Sequence, residues 1–163
     1  MSAAVRQCDE PGADERAAIA RLHATIYELE QGWDDRFAAY VDETLEKAAA
    51  AWSGDRDRLW LADAADGEVV GSIAIVHAGE GVAQLRWFIV APHARGSGLG
   101  SRLLDAALGF CRERGYQRVF LLTTDGLEAA ARLYRAAGFR LVAETPLEAW
   151  GAELLEQRYE LDL

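Results

Sequence analysis

The sequence predicts an α+β chain in three layers: a mixed, mostly antiparallel central sheet of about seven strands, with helices on both faces. Three observations carry that expectation. Hydrophobic spacing switches between the helical and the strand period along the chain, in the order βααβββαβαββ. Short glycine-bearing turns join consecutive strand-like segments. The chain has 163 residues, 51% of them hydrophobic, and at this size a chain buries roughly 70% of its unfolded surface. It therefore needs no disulfide or metal to fold. No repeat, linker or low-complexity tract interrupts it, so one domain over residues 1–163 is expected.

The elements follow in order. Residues 3–7 form a short strand. Pro11, Gly12 and Asp14 open a helix in which Ile19, Leu22, His23 and Ile26 recur at helical spacing through about Tyr27. The stretch around Glu28, Glu30, Gly32 and Trp33 reads as a loop. Asp34 or Asp35 can cap a second helix, striped by Phe37, Val41, Leu45, Ala48 and Trp52. Residues 58–62 and 68–77 make an antiparallel pair about the Asp66-Gly67 turn. Gly79 and Gly81 turn the chain into a third strand, 82–90. A helix follows over 98–114, then a strand over 118–123. Asp125 and Glu128 have capping-box spacing for a helix running to Ala137, which Gly138 stops. Segments 139–144 and 154–161 close the sheet.

Composition excludes several functions. With 17 basic and 27 acidic residues the formal charge is −10, so no nucleic-acid partner is expected, because non-specific binding to phosphates is electrostatic. An acidic surface suits amine-bearing or cationic small molecules. Cys8 and Cys111 stand in no metal-ligand spacing, so no metal is expected, and both read as reduced thiols of a cytoplasmic protein. Residues 1–10 lack the pattern of a signal peptide, and no apolar run is long enough to span a membrane.

The strongest chemical signal runs from Phe88 to Ser101. A strand ends at Val90, Pro92 stops the ladder, and a glycine-rich loop, Arg95-Gly96-Ser97-Gly98-Leu99-Gly100, feeds an amphipathic helix. Glycines let the backbone approach a ligand, and a helix N-terminus offers unpaired amides to a phosphate. A P-loop requires a lysine that is absent here. The dinucleotide fingerprint fails because Ser101 stands where its third glycine belongs and the strand ends too far upstream.

Arg95-x-x-Gly98-x-Gly100 after Val90-x-Pro92 resembles the acetyl-CoA signature of the GNAT superfamily of N-acetyltransferases. Leu133-Tyr134-Arg135-Ala136-Ala137-Gly138-Phe139 resembles that family's tyrosine-bearing helix and following strand. More narrowly, Gly32-Trp33-Asp34 and the Arg158–Leu163 ending are similar to acetyltransferase domains fused behind MarR-type regulators. Here the length leaves no room for the DNA-binding half, so a stand-alone enzyme is expected. The resemblance implies the GNAT-like acyl-CoA N-acyltransferase fold, acetyl-CoA as cosubstrate and no metal.

It also implies roles. The backbone of Phe88, Ile89 and Val90 would pair with the pantetheine arm, and an N–H of Ile89 or Val90 would polarise the thioester carbonyl. The amides of Gly96, Ser97, Gly98, Leu99, Gly100 and Ser101, beside Arg95, would cradle the pyrophosphate. Tyr134 would protonate the departing thiolate. The carboxylates many members use as general base have no counterpart in Gln84-Leu85-Arg86-Trp87 or in Leu121-Leu122-Thr123, which leaves a water chain or Glu28, Glu30 or Asp34. Glu28, Glu30 and Trp33 are the candidate acceptor contacts. His23 reads as packed, His77 and His93 as lesser candidates, Trp150 as core, and Trp87 as core or a wall of the acceptor pocket. The implied reaction is acetyl transfer to a primary amine of a small acceptor, a cationic one if the acidic composition guides it, by direct attack in a ternary complex. A non-catalytic acetyl-CoA-binding module and an NAD-dependent oxidoreductase are the alternatives. Residues 154–163 serve either a homodimer, common in the family, or the sheet alone.

Overall fold

Seven strands hydrogen-bond in the order β1-β2-β3-β4-β5-β7-β6 in a computed structural model that describes residues 3–163. Met1 and Ser2, at the head of the segment read as lacking a signal peptide, lie outside the described residues. The chain runs β1 (Ala4–Cys8), α1 (Ala13–Gln31), α2 (Asp35–Ala50), β2 (Arg58–Asp63), β3 (Val69–Gly79) and β4 (Val82–Val90). It continues through α3 (Leu99–Glu113), β5 (Arg118–Thr124), α4 (Glu128–Ala136), β6 (Arg140–Ala149) and β7 (Ala152–Asp162). Every neighbouring pair is antiparallel except β4 with β5. The expected element order and mixed sheet are therefore what the chain forms.

Strand alternation builds two cores. On β2, Leu59 and Leu61 meet Ile19, Val41 and Leu45 of α1 and α2 on one face. Trp60 and Ala62 meet Leu103, Leu104 and Ala107 of α3 on the other. Fully burying one such aliphatic side chain is worth about 1.5–3 kcal/mol, so both layers hold the sheet firmly. Tyr134 brings α4 onto the α3 side with Tyr159 and Leu161.

Three readings need correction. α1 continues one turn beyond Tyr27 to Gln31, so Glu28 and Glu30 lie on a helix and not on a loop. The buried stripe ends near Tyr27, but Glu28–Gln31 are good helix formers, and only Gly32 (φ 69°) stops the helix, its N–H bonding Glu28 O. Asp125 does not cap α4, whose N-cap is Leu127 without a side-chain bond. Instead Asp125 Oδ1 accepts from Leu155 N–H at 2.9 Å and Asp125 N–H donates to Leu155 O at 3.0 Å, tying the end of β5 to β7. Finally, β6 runs on to Ala149, because Trp150 and Gly151 (φ 53° and 80°) form a two-residue hairpin turn into β7. For α2, Asp34 is the cap, its Oδ1 accepting Arg36 N–H at 3.1 Å.

The sheet opens in its middle. β4 and β5 pair only from Val82↔Arg118 to Gln84↔Phe120 and then diverge. A bulge in β4 lies at that point, since Ser72 faces Ile89 while Ala74 faces Arg86, leaving two β4 residues opposite one on β3. Trp87 takes φ 47° there, a conformation disfavoured for a bulky side chain. Ser72 Oγ donates to Trp87 O at 2.6 Å and the indole Nε1 to Thr44 Oγ1 at 3.3 Å, which holds it in place.

Candidate active site

The divergence of β4 from β5 leaves a cavity on each side of the wedge. The larger, about 840 Å³, lies between β4, the Arg95–Ser101 loop and α4. The smaller, about 170 Å³, lies between the α1–α2 layer and the strands. Tyr27, Phe88 and Leu127 line both, so the two meet at the open strand edge.

Phe88, Ile89, Val90, Arg95, Gly96, Gly98, Leu99, Gly100 and Ser101 line the large cleft. Ser97 is the predicted residue that does not, its hydroxyl bonding back to Ala94 O at 3.0 Å. Ala91 N–H donates to Val70 O on β3. By strand alternation the Val90 N–H and C=O point the other way, toward the open side, and Ile89 N–H points to β3. Of the two amides, Val90 is thus the one free to meet a bound group. Gly96 and Gly98 (φ 84° and 82°) turn the loop so that α3 begins at Leu99 with no side-chain cap. Its first amides are therefore unpaired donors facing the cleft. Gly100 is required by contact: a Cβ there would sit 2.8 Å from Leu133 Cδ1.

Arg95 is anchored. Its Nε donates to Val90 O at 3.0 Å, and both terminal nitrogens donate to Glu30, each at 2.8 Å. That pairing holds the Glu30 carboxyl below its usual range and raises the guanidinium further. Glu30 thus belongs to the rim of the large cleft, with Arg95. Glu28 lines neither cavity, and Asp34 is engaged by Arg36.

The small cavity holds the tyrosine. Tyr134 is 5% exposed, among Phe88, Phe139 and Tyr159 with ring centroids 5.7–5.9 Å away. Burial pushes its phenol well above the usual range, so it carries its proton at neutral pH and can donate it. Trp33 lines the same cavity, stacked on Tyr27 at 4.8 Å and against Trp150 at 4.7 Å.

Several polar residues of this cavity escaped the sequence reading as site residues. Arg86 lines it with its guanidinium 4.5 Å from the Trp87 ring centroid. Burial lowers its pKa, with the Tyr40 hydroxyl opposing. Thr124 and Glu156, register partners on β5 and β7, line it as well. His23 is packed, as read, yet it also lines the cavity. Its Nδ1–H donates to Ile19 O at 2.8 Å, which leaves Nε2 as an acceptor, and burial lowers its pKa to about 4. The signal available for Arg86 and Gln84 was polar residues alternating with core ones along a central strand; for Glu156 and Thr124 there was none.

His77 lies elsewhere, its N–H bonded to Asp57 and its ring against Tyr116. His93 sits on the exposed turn before the loop. Cys111 is fully buried with its thiol pushed up to about 12, hence inert at neutral pH. Among the described residues no cluster of metal-ligating side chains occurs, and no helix is long and apolar enough to cross a membrane.

The Acetyltransferase (GNAT) family matches residues 17–139, and the chain belongs to that family. It is 32% identical over 108 residues to the uncharacterized N-acetyltransferase YjgM of Escherichia coli, a match covering 64% of either chain. The chain spans less than two thirds of the length of the curated relatives it matches. The fold is shared with an acetyltransferase of Streptococcus agalactiae (TM-score 0.79, 20% identity, 100% and 99% of the two chains). It is also shared with yncA of Salmonella typhimurium, crystallised with its cofactor acetyl-CoA (TM-score 0.73, 20% identity, 100% and 95%).

Proposed function

We propose that the chain is an acetyl-CoA-dependent N-acetyltransferase that acetylates a primary amine of a small acceptor within a ternary complex. One observation carries the reading: a cleft lined by free backbone donors and a separate polar cavity meet at the edge where β4 leaves β5. Acetyl-CoA would lie in the cleft, its pyrophosphate on the loop and α3 amides, and its thioester beside Val90. The acceptor would enter from the small cavity.

The neutral amine attacks the thioester carbonyl carbon, forming the C–N bond while the C–S bond breaks. Val90 N–H stabilises the oxyanion, and Tyr134 gives its proton to the leaving thiolate. The proton shed by the nitrogen passes to Glu156 of β7 or to water, either of which would serve as the base missing from β4 and β5. Holding both reactants in line supplies much of the acceleration. We place this enzyme in the cytoplasm as a single domain. A homodimer through the outer strands would use the exposed Leu141, Val142 and Leu155.

The test is a calorimetric titration with acetyl-CoA, with NADH in parallel, followed by thiol release in the presence of an amine panel. Saturable acetyl-CoA binding, no heat with NADH, and amine-dependent thiol release are expected. NADH binding with indifference to acetyl-CoA would overturn the assignment. Binding without transfer to any amine would reduce the protein to an acetyl-CoA-binding module.

A further inference from the structure

Charge inside the small cavity says more about the acceptor than the net charge of the whole chain. Arg86 is half-buried and has no carboxylate within 4.0 Å among the described residues. It is held on the Trp87 face and lines the cavity. A guanidinium stays charged, and withdrawing it from water without a counter-charge is unfavourable, so the position favours an anion that completes it. The second observation is independent. Thr124 Oγ1 is the buried side-chain polar atom without a hydrogen-bond partner among the described residues, and its residue is 7% exposed and lines the same cavity. Buried hydroxyls are nearly always paired, so this one is set for a group that arrives. Glu156 stands next to Thr124 across the β5–β7 ladder. The lining of one cavity therefore carries a cation, a hydroxyl and a carboxylate.

We propose that the acceptor is an amine that also carries a carboxylate, an amino acid or a molecule of that type, with its carboxylate on Arg86 and its amine end toward Thr124 and Glu156. A polyamine would bring positive charge against Arg86. This inference rests on the acetyl-transfer reading.

The experiment compares paired acceptors with acetyl-CoA by thiol release: free amino acids, their carboxamides, and the matching decarboxylated amines. The carboxylate-bearing member should be favoured by roughly 10²-fold in kcat/KM. In Arg86→Met that preference should collapse toward one, chiefly through KM, and Arg86→Lys should retain part of it because the charge remains without the fork. Acetyl-CoA titration of both variants checks that they fold and bind cosubstrate. Preference for the uncharged analogues, or a ratio unmoved by Arg86→Met, overturns the inference and leaves acetyl transfer standing. Absence of acetyl-CoA binding by the unmodified protein removes both.

Discussion

At the residue scale, the same burial that makes Tyr134 part of the core keeps its phenol protonated. In that state it can serve as an acid but not as a base. Tyr134→Phe preserves the ring that packs against Phe88, Phe139 and Tyr159 while deleting the proton. Turnover should fall by about 10²-fold or more, within the usual worth of general acid catalysis, and acetyl-CoA affinity should hold within about twofold. Steady-state kinetics beside calorimetry measures both; undiminished turnover would take the acid role away from Tyr134. Tyr134 was legible in the sequence because it sits in a contiguous motif. Arg86, Thr124 and Glu156 were not, because they come from three separate strands and nothing local marks them as neighbours.

At the scale of elements, turns and caps decide where the site's walls stand. The Trp150-Gly151 turn places Trp150 against Trp33 and Phe37, closing one side of the small cavity. Gly151 has φ +80°, and a Cβ there would sit 3.1 Å from Asp34 Oδ2. Gly151→Ala should therefore destabilise the protein by about 1–2 kcal/mol, the typical penalty for a left-handed alanine. Gly54→Ala, in open space and without a positive φ, should stay within about 0.5 kcal/mol. Urea unfolding of the two variants checks the contrast, and equal midpoints would contradict it. Elements with regular periodicity, such as α2 and β4, were readable from the sequence. The last turn of α1 was not, because it is solvent-facing and carries no apolar repeat, and Asp125 misled because capping spacing also suits a residue that ties two strands together.

At the scale of the whole molecule, stability should depend on pH through a group far from the surface. His23 is neutral in the fold with its pKa lowered to about 4, by burial, whereas in an unfolded chain it titrates near its ordinary 6.5. Between those values the unfolded chain holds more protons, so stability falls as pH drops from about 6.5 toward 4 and is unaffected by His23 above that window. Each pH unit of such a difference is worth about 1.4 kcal/mol, which makes the loss on the order of 3 kcal/mol. Urea unfolding at several pH values, repeated with His23→Gln, reads it directly: the variant's profile should be flatter across the window. Identical slopes would show that His23 gains a proton without penalty.

Features written locally in the chain were legible without the fold. Hydrophobic period set the elements and their order, glycines set the loop after β4, and two contiguous motifs pointed to the cofactor side and to Tyr134. The small cavity, by contrast, is set by long-range pairing alone. The bulge at Trp87 and the parting of β4 from β5 create the cavity, and sheet order brings β4, β5 and β7 around it. Thr124 and Glu156 become partners through strand pairing, and Arg86 reaches the same cavity only because β4 leaves β5 there, an outcome fixed by the free energy of the whole sheet and encoded at no single position.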